Sequence, residues 1–246
     1  MAGHSKWANI KHRKGAQDKK RAKIFTKILK EVTIAAKDSG PDPSSNPRLR
    51  LAIQNAKGAN IAKDTVERAI SKGAGLDAQS YTEVTYEGYG SNGIAVFVEC
   101  TTDNINRTVQ NVRAAFSKYH GSLGTNGSLS FIFERKGIFN VPKAELNEEE
   151  FMFEVIDGGA EDVEIQDDFF IITTSLESFG SMQKKLEEMG IEAENAQLDR
   201  IPNTTIKLDL ESSKKVIKLI DYLEDDDDVQ NVYHNMELTE ELMEQL

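Results

Sequence analysis

From Asp18 onward, apolar residues recur at helical spacing: Ile24, Phe25, Ile28, Leu29, Val32, Ala35 and Ala36 share one face. Lys19, Lys20, Lys23, Lys27 and Lys30 fall largely on the other. The pattern predicts a helix over 18–37, stopped by Ser39-Gly40-Pro41. Asn46-Pro47 is an N-cap followed by proline at the first helical position, opening a second helix to about Gly58. A third is predicted over 63–72, closed by Gly73. Residues 1–17 have no clean period and read as a basic arm. After Gly75 the period falls to two. Strands are predicted over 82–87, 94–100 and 128–134, with a helix over 104–120 between the last two. Then follow a strand (138–141), a helix (148–157), strands (162–166 and 169–174), a helix (178–189) and a strand (192–200). That order, β-α-β-β-α-β, is ferredoxin-like. A strand (203–210), a helix (212–223) and a strand (229–234) remain. They are too few for a sheet of their own, so they are expected to complete the sheet begun at residue 82.

The expected fold class is therefore α+β with three domains. These are a helical module (1–78), a discontinuous α/β domain (79–136 and 202–246), and an inserted ferredoxin-like α/β domain (137–201). The 246 residues are 39% hydrophobic and 29% charged, enough apolar material for packed cores. No run approaches the roughly 18 apolar residues of a membrane span. The single cysteine, Cys100, excludes intramolecular disulfides and cysteine-based zinc or iron–sulfur sites.

Charge changes the picture more than composition does. The net charge of −11 would repel phosphate, yet it is divided unevenly. Residues 1–78 carry 17 Lys and Arg against 7 Asp and Glu, whereas residues 79–246 carry 13 against 34. The first 30 residues hold ten basic side chains and one acid, Asp18. A secretory leader is not expected, because the arm has no apolar core. A transit peptide is disfavoured too, because lysine replaces the usual arginine and serine. An acidic protein with a basic arm uses the arm on a polyanion.

No catalytic constellation emerges. Gly88–Gly93 lies between two strands without the helix and lysine of a phosphate loop, and reads as a hairpin. The four histidines show no metal spacing, and His120 reads as a helix end. Asp225–Asp228 is expected to be a solvated, mutually repelling loop. Leu129, Phe131 and Phe133 are expected to face a core.

The candidate nucleic-acid contacts are His4, Lys6, Trp7, Lys11, His12, Arg13 and Lys14 in the arm. Lys19, Lys20, Arg21, Lys23 and Lys27 continue them on the first helix, and Arg48 and Arg50 on the second. Cations every two to four residues suit a backbone-tracking surface. Trp7 either stacks on a base or anchors the arm. Asn104, Asn106 and Arg107, from the stretch DNINR, form a second candidate contact; the same residues also suit a simple N-cap with an exposed first turn.

The stretches MAGHSKWANIKHRKGAQDKKRAKIFTK, NPRLRLAIQNAKGAN, YEGYG and DDVQNVYHN, with VEC, TDN and NRTV, closely resemble the YebC/PmpR family over essentially the whole chain. The resemblance implies a helical N-terminal domain, two α/β domains and no enzymatic activity. Bacterial members are described as transcriptional regulators that bind DNA. A similar mitochondrial protein is a translational activator of cytochrome oxidase, and bacterial relatives have been linked to stalled ribosomes. The chain departs from the common pattern at Ala62, at Ser91-Asn92 and at Ile105, the last removing a charge beside Asn106 and Arg107. Residues and resemblance together lead to the expectation of a cytoplasmic, monomeric, non-enzymatic regulator of gene expression without cofactor, metal or membrane partner. A lysine-rich first helix suits phosphate more than base reading, so ribosomal RNA is favoured and duplex DNA is the alternative.

Overall fold

The computed structural model describes residues 18–75, 80–143, 146–166, 168–239 and 241–242, the side chains of 18–21 excepted. The fold is α+β. The chain divides into two compact units: Met1–Lys23, Gln79–Glu134 and Arg200–Leu246 in one, Ile24–Ala78 and Arg135–Asp199 in the other.

In the second unit, helices α1 (Asp18–Ser39, from residue 24), α2 (Pro47–Gly58) and α3 (Lys63–Ala74) bury Val32, Ala35, Leu49, Ala52, Ala56 and Val66 against one another. Asn46 caps α2 with its side-chain oxygen on the Leu49 N–H at 3.0 Å. Its amide also donates to the carbonyls of Ala35 and Gly40 at 2.7 and 2.8 Å, tying the α1–α2 turn shut. Gly73 does not close α3, as its sequence position suggests. It lies inside the helix, where an added Cβ would meet the Thr33 carbonyl oxygen at 2.2 Å. It is a glycine of close helix approach.

The same unit contains strands β4 (Phe133–Pro142, from residue 135), β5 (Ala160–Ile165), β6 (Phe169–Ser175) and β7 (Asn195–Pro202, to residue 199), in the order β5-β6-β4-β7. Helices α5 (Glu148–Asp157) and α6 (Phe179–Glu188) supply Phe151, Val155, Met182 and Leu186 to a core with Phe139, Val141, Phe170 and Ile172. This is the ferredoxin-like arrangement. Helix α2 packs Leu51 on that core, and its Gln54 and Asn55 amides donate to the carbonyls of Ala193 and Ala196 at 3.1 and 2.9 Å.

In the first unit, β1 (Thr82–Tyr89) and β2 (Ala95–Thr102) form an antiparallel hairpin. A short β3 (Ser122–Leu123) and β8 (Val229–His234) flank it, in the order β3-β1-β2-β8. Helices α4 (Ile105–Lys118) and α7 (Leu210–Glu224) pack on Val96, Val98 and Cys100 of one face. Ala95 and Phe97 of the other face meet Leu129, Phe133 and Tyr233. The strand predicted over 128–134 is instead a series of turns up to residue 132, and β4 begins at Phe133. The buried Glu87 carboxylate takes the N–H groups of Gly127 and Leu129 at 2.7 and 2.6 Å, so those donors are not available to a ladder. Leu129 is buried, but Phe131, expected in the core, is 73% exposed. The strand predicted over 203–210 reduces to one bridge between Ile206 and Met236. Asp209 instead caps α7, accepting from the Ser212 N–H at 2.9 Å.

Candidate nucleic-acid interface

His4, Lys6, Trp7, Lys11, His12, Arg13 and Lys14 lie outside the described residues. Lys19, Lys20 and Arg21 occupy the opening of α1, where the backbone alone is described. Lys23 is the last residue of the first unit's opening segment, and its Nζ bonds the carboxylate and carbonyl of Asp225 in the same unit. Lys27 is half-buried.

Within the second unit, Arg48 is already committed. Its Nε and Nη2 meet Glu31 at 2.6 and 3.1 Å, and its Nη1 meets Asp38 at 3.2 Å. Both acids belong to α1, and Arg48 thereby bridges α2 to α1. Arg50 is exposed and has no ion pair among the described residues. Arg48 and Arg50 therefore differ in what they can offer a ligand.

In the first unit, the DNINR stretch folds as a capped helix start. The Asn104 side chain accepts from the Arg107 N–H at 3.0 Å, so its oxygen serves α4 itself. Asn106 is exposed. The Arg107 guanidinium reaches Asp228 through Nε at 3.1 Å and Nη2 at 2.7 Å, and Asp103 through Nη2 at 2.7 Å. The hydrogen bonds to Asp228, then those to Asp103, raise its pKa above the ordinary guanidinium value. Its side chain is nonetheless 46% exposed, and Nη1 has no partner among the described residues. Arg107 is thus held in one orientation with one amino group facing out.

The aspartate run is solvated only in part: Asp225 and Asp227 are exposed, Asp226 is half-buried and Asp228 is buried. Asp228 is buried, and also accepts from the Thr108 hydroxyl at 2.9 Å. Asp226 accepts from the Asn111 amide at 2.9 Å and from the Asp228 N–H at 2.9 Å. Asp225 holds Lys23. Asp225, Asp226 and Asp228 are bonded by groups up to about 200 residues away in the chain, which local sequence does not show. Burial, then the charges of Asp103 and Asp228, also push the Tyr81 hydroxyl pKa upward. Asp228 carries no local signal of its role, whereas Asp103 stands four residues before Arg107, within the DNINR stretch. Among the described residues no group of His, Cys, Asp or Glu could hold a metal ion, and no helix is long and apolar enough to cross a membrane.

The TACO1/YebC protein N-terminal domain family matches residues 5–76, and the TACO1/YebC second and third domain family matches residues 81–236. The chain belongs to the TACO1/YebC family. It is 56% identical over 239 residues to a protein of Amoebophilus asiaticus, covering 96% of this chain and 98% of that one. It is 50% identical to a protein of Persephonella marina over the full length of both. Each of these relatives is named "Probable transcriptional regulatory protein". The crystal structure of a conserved hypothetical protein from Aquifex aeolicus superposes with a TM-score of 0.81 at 45% identity, covering 91% of this chain and 93% of that one. The two matches divide close to where the charge does: the N-terminal match contains the basic segment, and the second match contains most of the acidic remainder.

Proposed function

We propose that this chain is a cytoplasmic, non-enzymatic regulator of gene expression that binds structured RNA on the ribosome and assists translation. The observation that carries this reading is the division of charge: 17 Lys and Arg against 7 acids in residues 1–78, and 13 against 34 thereafter. The basic segment supplies phosphate contacts, and the acidic remainder meets protein or solvent.

The use of the side chains supports RNA phosphate over sequence-specific reading of duplex DNA. Base readout needs arginine and amide side chains that are free to reach base edges. Arg48 is ion-paired, Gln54 and Asn55 bond backbone carbonyls, Asn104 caps α4, and Asn111 bonds Asp226, which leaves Arg50 and Asn106 as the exposed candidates. Helices α2 and α3 are joined by a short turn, but the exposed side of α3 places Asp64 and Glu67 beside Arg68. Acids there would oppose a groove lined with phosphate. The second reading, a DNA-binding transcriptional regulator, is favoured by the names of the relatives.

Sedimentation with purified ribosomes separates the two. Full-length protein is expected to co-sediment, and removal of residues 1–17 is expected to weaken association by tenfold or more. Association that survives the deletion unchanged would remove the arm from the mechanism. A preference for one short duplex over random duplex by about 4 kcal/mol or more at physiological salt would establish the transcriptional reading instead.

A further inference from the structure

Helix α7 buries Val216, Ile217, Leu219, Ile220 and Leu223 and turns its opposite side to solvent. On that side Lys214, Lys215, Lys218 and Tyr222 are exposed. Lys214 and Lys218 stand four residues apart, and Lys218 and Tyr222 four more, so they form a row along the helix. The row runs about 12 Å from Lys214 to Tyr222. From α4, Lys118 joins it: its Nζ lies 4.1 Å from the centre of the Tyr222 ring and 5.4 Å from that of Tyr119. The electron-rich ring faces hold this ammonium beside the lysine row.

Like charges four residues apart destabilise a helix unless something offsets them. Here no acid does. Among the described residues, none of Lys118, Lys214, Lys215 and Lys218 makes an ion pair. Asp221 and Glu224 are half-buried, and Asp225 holds Lys23. A strongly acidic segment has thus kept four cations and an exposed tyrosine together on one face.

We propose that this face is a second nucleic-acid contact, one that takes the phosphate backbone of single-stranded RNA with a base against Tyr222. The row spans about three nucleotide steps of a stacked strand at 3.4 Å each. Lysines with an interleaved aromatic suit a strand bound by charge and stacking, without sequence preference. A lipid surface fits less well, because the apolar face of α7 is spent inside the core and Tyr222 is the one large apolar group in the row. The site goes beyond the arm. It rests on the proposed function only for the choice of RNA over single-stranded DNA.

The test is fluorescence anisotropy of the full chain with labelled oligouridylate of about 20 nucleotides, titrated across about 50–200 mM salt. Changing Lys214, Lys215 and Lys218 together to Gln is expected to weaken binding about tenfold. It should lower the slope of log affinity against log salt by about 2, at 0.7 per phosphate. The three-arginine variant should retain binding, which separates lost contact from lost fold. A charge-matched control, Lys143, Lys184 and Lys185 to Gln, removes cations already paired with Glu148, Glu188 and Glu154, and should change binding less than the first variant. Equal loss in the two Gln variants, or none in the first, overturns the site. Loss of oligothymidylate binding alone overturns the choice of RNA. If deleting residues 1–17 abolishes ribosome association while the α7 variant binds oligouridylate normally, the proposed function stands and this site fails. The opposite result keeps the site and removes the arm.

Discussion

Asn46 shows how much one side chain can hold. It is 1% exposed, and its oxygen and nitrogen together make three hydrogen bonds, to Leu49, Ala35 and Gly40. Replacement by Ala removes the cap of α2 and the two bonds that tie the turn to the Ala35 and Gly40 carbonyls. Asn46→Ala is expected to cost roughly 2–4 kcal/mol, read as a lower midpoint in denaturant with an unchanged slope. Asp would keep the cap but place acceptors against two carbonyls, so Asn46→Asp is expected to be no better than Ala. The cap itself was legible from Asn46-Pro47. The two bonds back to α1 were not, because they depend on how the turn folds over.

At the scale of elements, two glycines inside helices make opposite demands. An added Cβ at Gly73 of α3 would press on the Thr33 carbonyl and sit 3.0 Å from the Ala36 Cβ. At Gly180 of α6 it would meet nothing within 4 Å. Ala is the better helix former, by up to about 1 kcal/mol in a helix interior. Contact outweighs propensity at Gly73, where Gly73→Ala is expected to destabilise by roughly 1–3 kcal/mol. Gly180→Ala, near its helix start, is expected to be neutral or stabilising by a few tenths of a kcal/mol. Thermal unfolding of the two variants side by side measures the difference. Equal shifts would mean that the α1–α3 approach relaxes freely.

For the whole molecule, the division of charge makes the proposed binding a matter of salt. The arm contains Lys6, Lys11, Arg13 and Lys14. If each meets one phosphate, deleting residues 1–17 should reduce the slope of log affinity against log salt by about 3 on single-stranded or duplex probes alike. Titration of the full and shortened chains over a range of salt reads that slope directly. An unchanged slope would place the phosphate contacts elsewhere, with the lysine row of α7 as the first place to look. The acidic remainder does not act as one uniform field: Asp225, Asp226 and Asp228 are bonded internally, while the α7 lysines are not paired.

The sequence by itself determined the α+β class, the order of the main elements, and the bounds of α5 and β8, which begin and end where the periodicity places them. These follow from local pattern, because the period of apolar residues states which face an element must bury. Tertiary structure alone decided the rest. The turns before Phe133 exist because the Glu87 carboxylate, some 40 residues away, takes their N–H groups. Arg107 is anchored because Asp228, 121 residues along the chain, lies under it. Which charges are neutralised and which remain for a ligand is set by distances of about 3 Å between groups far apart in sequence, and no local period encodes those.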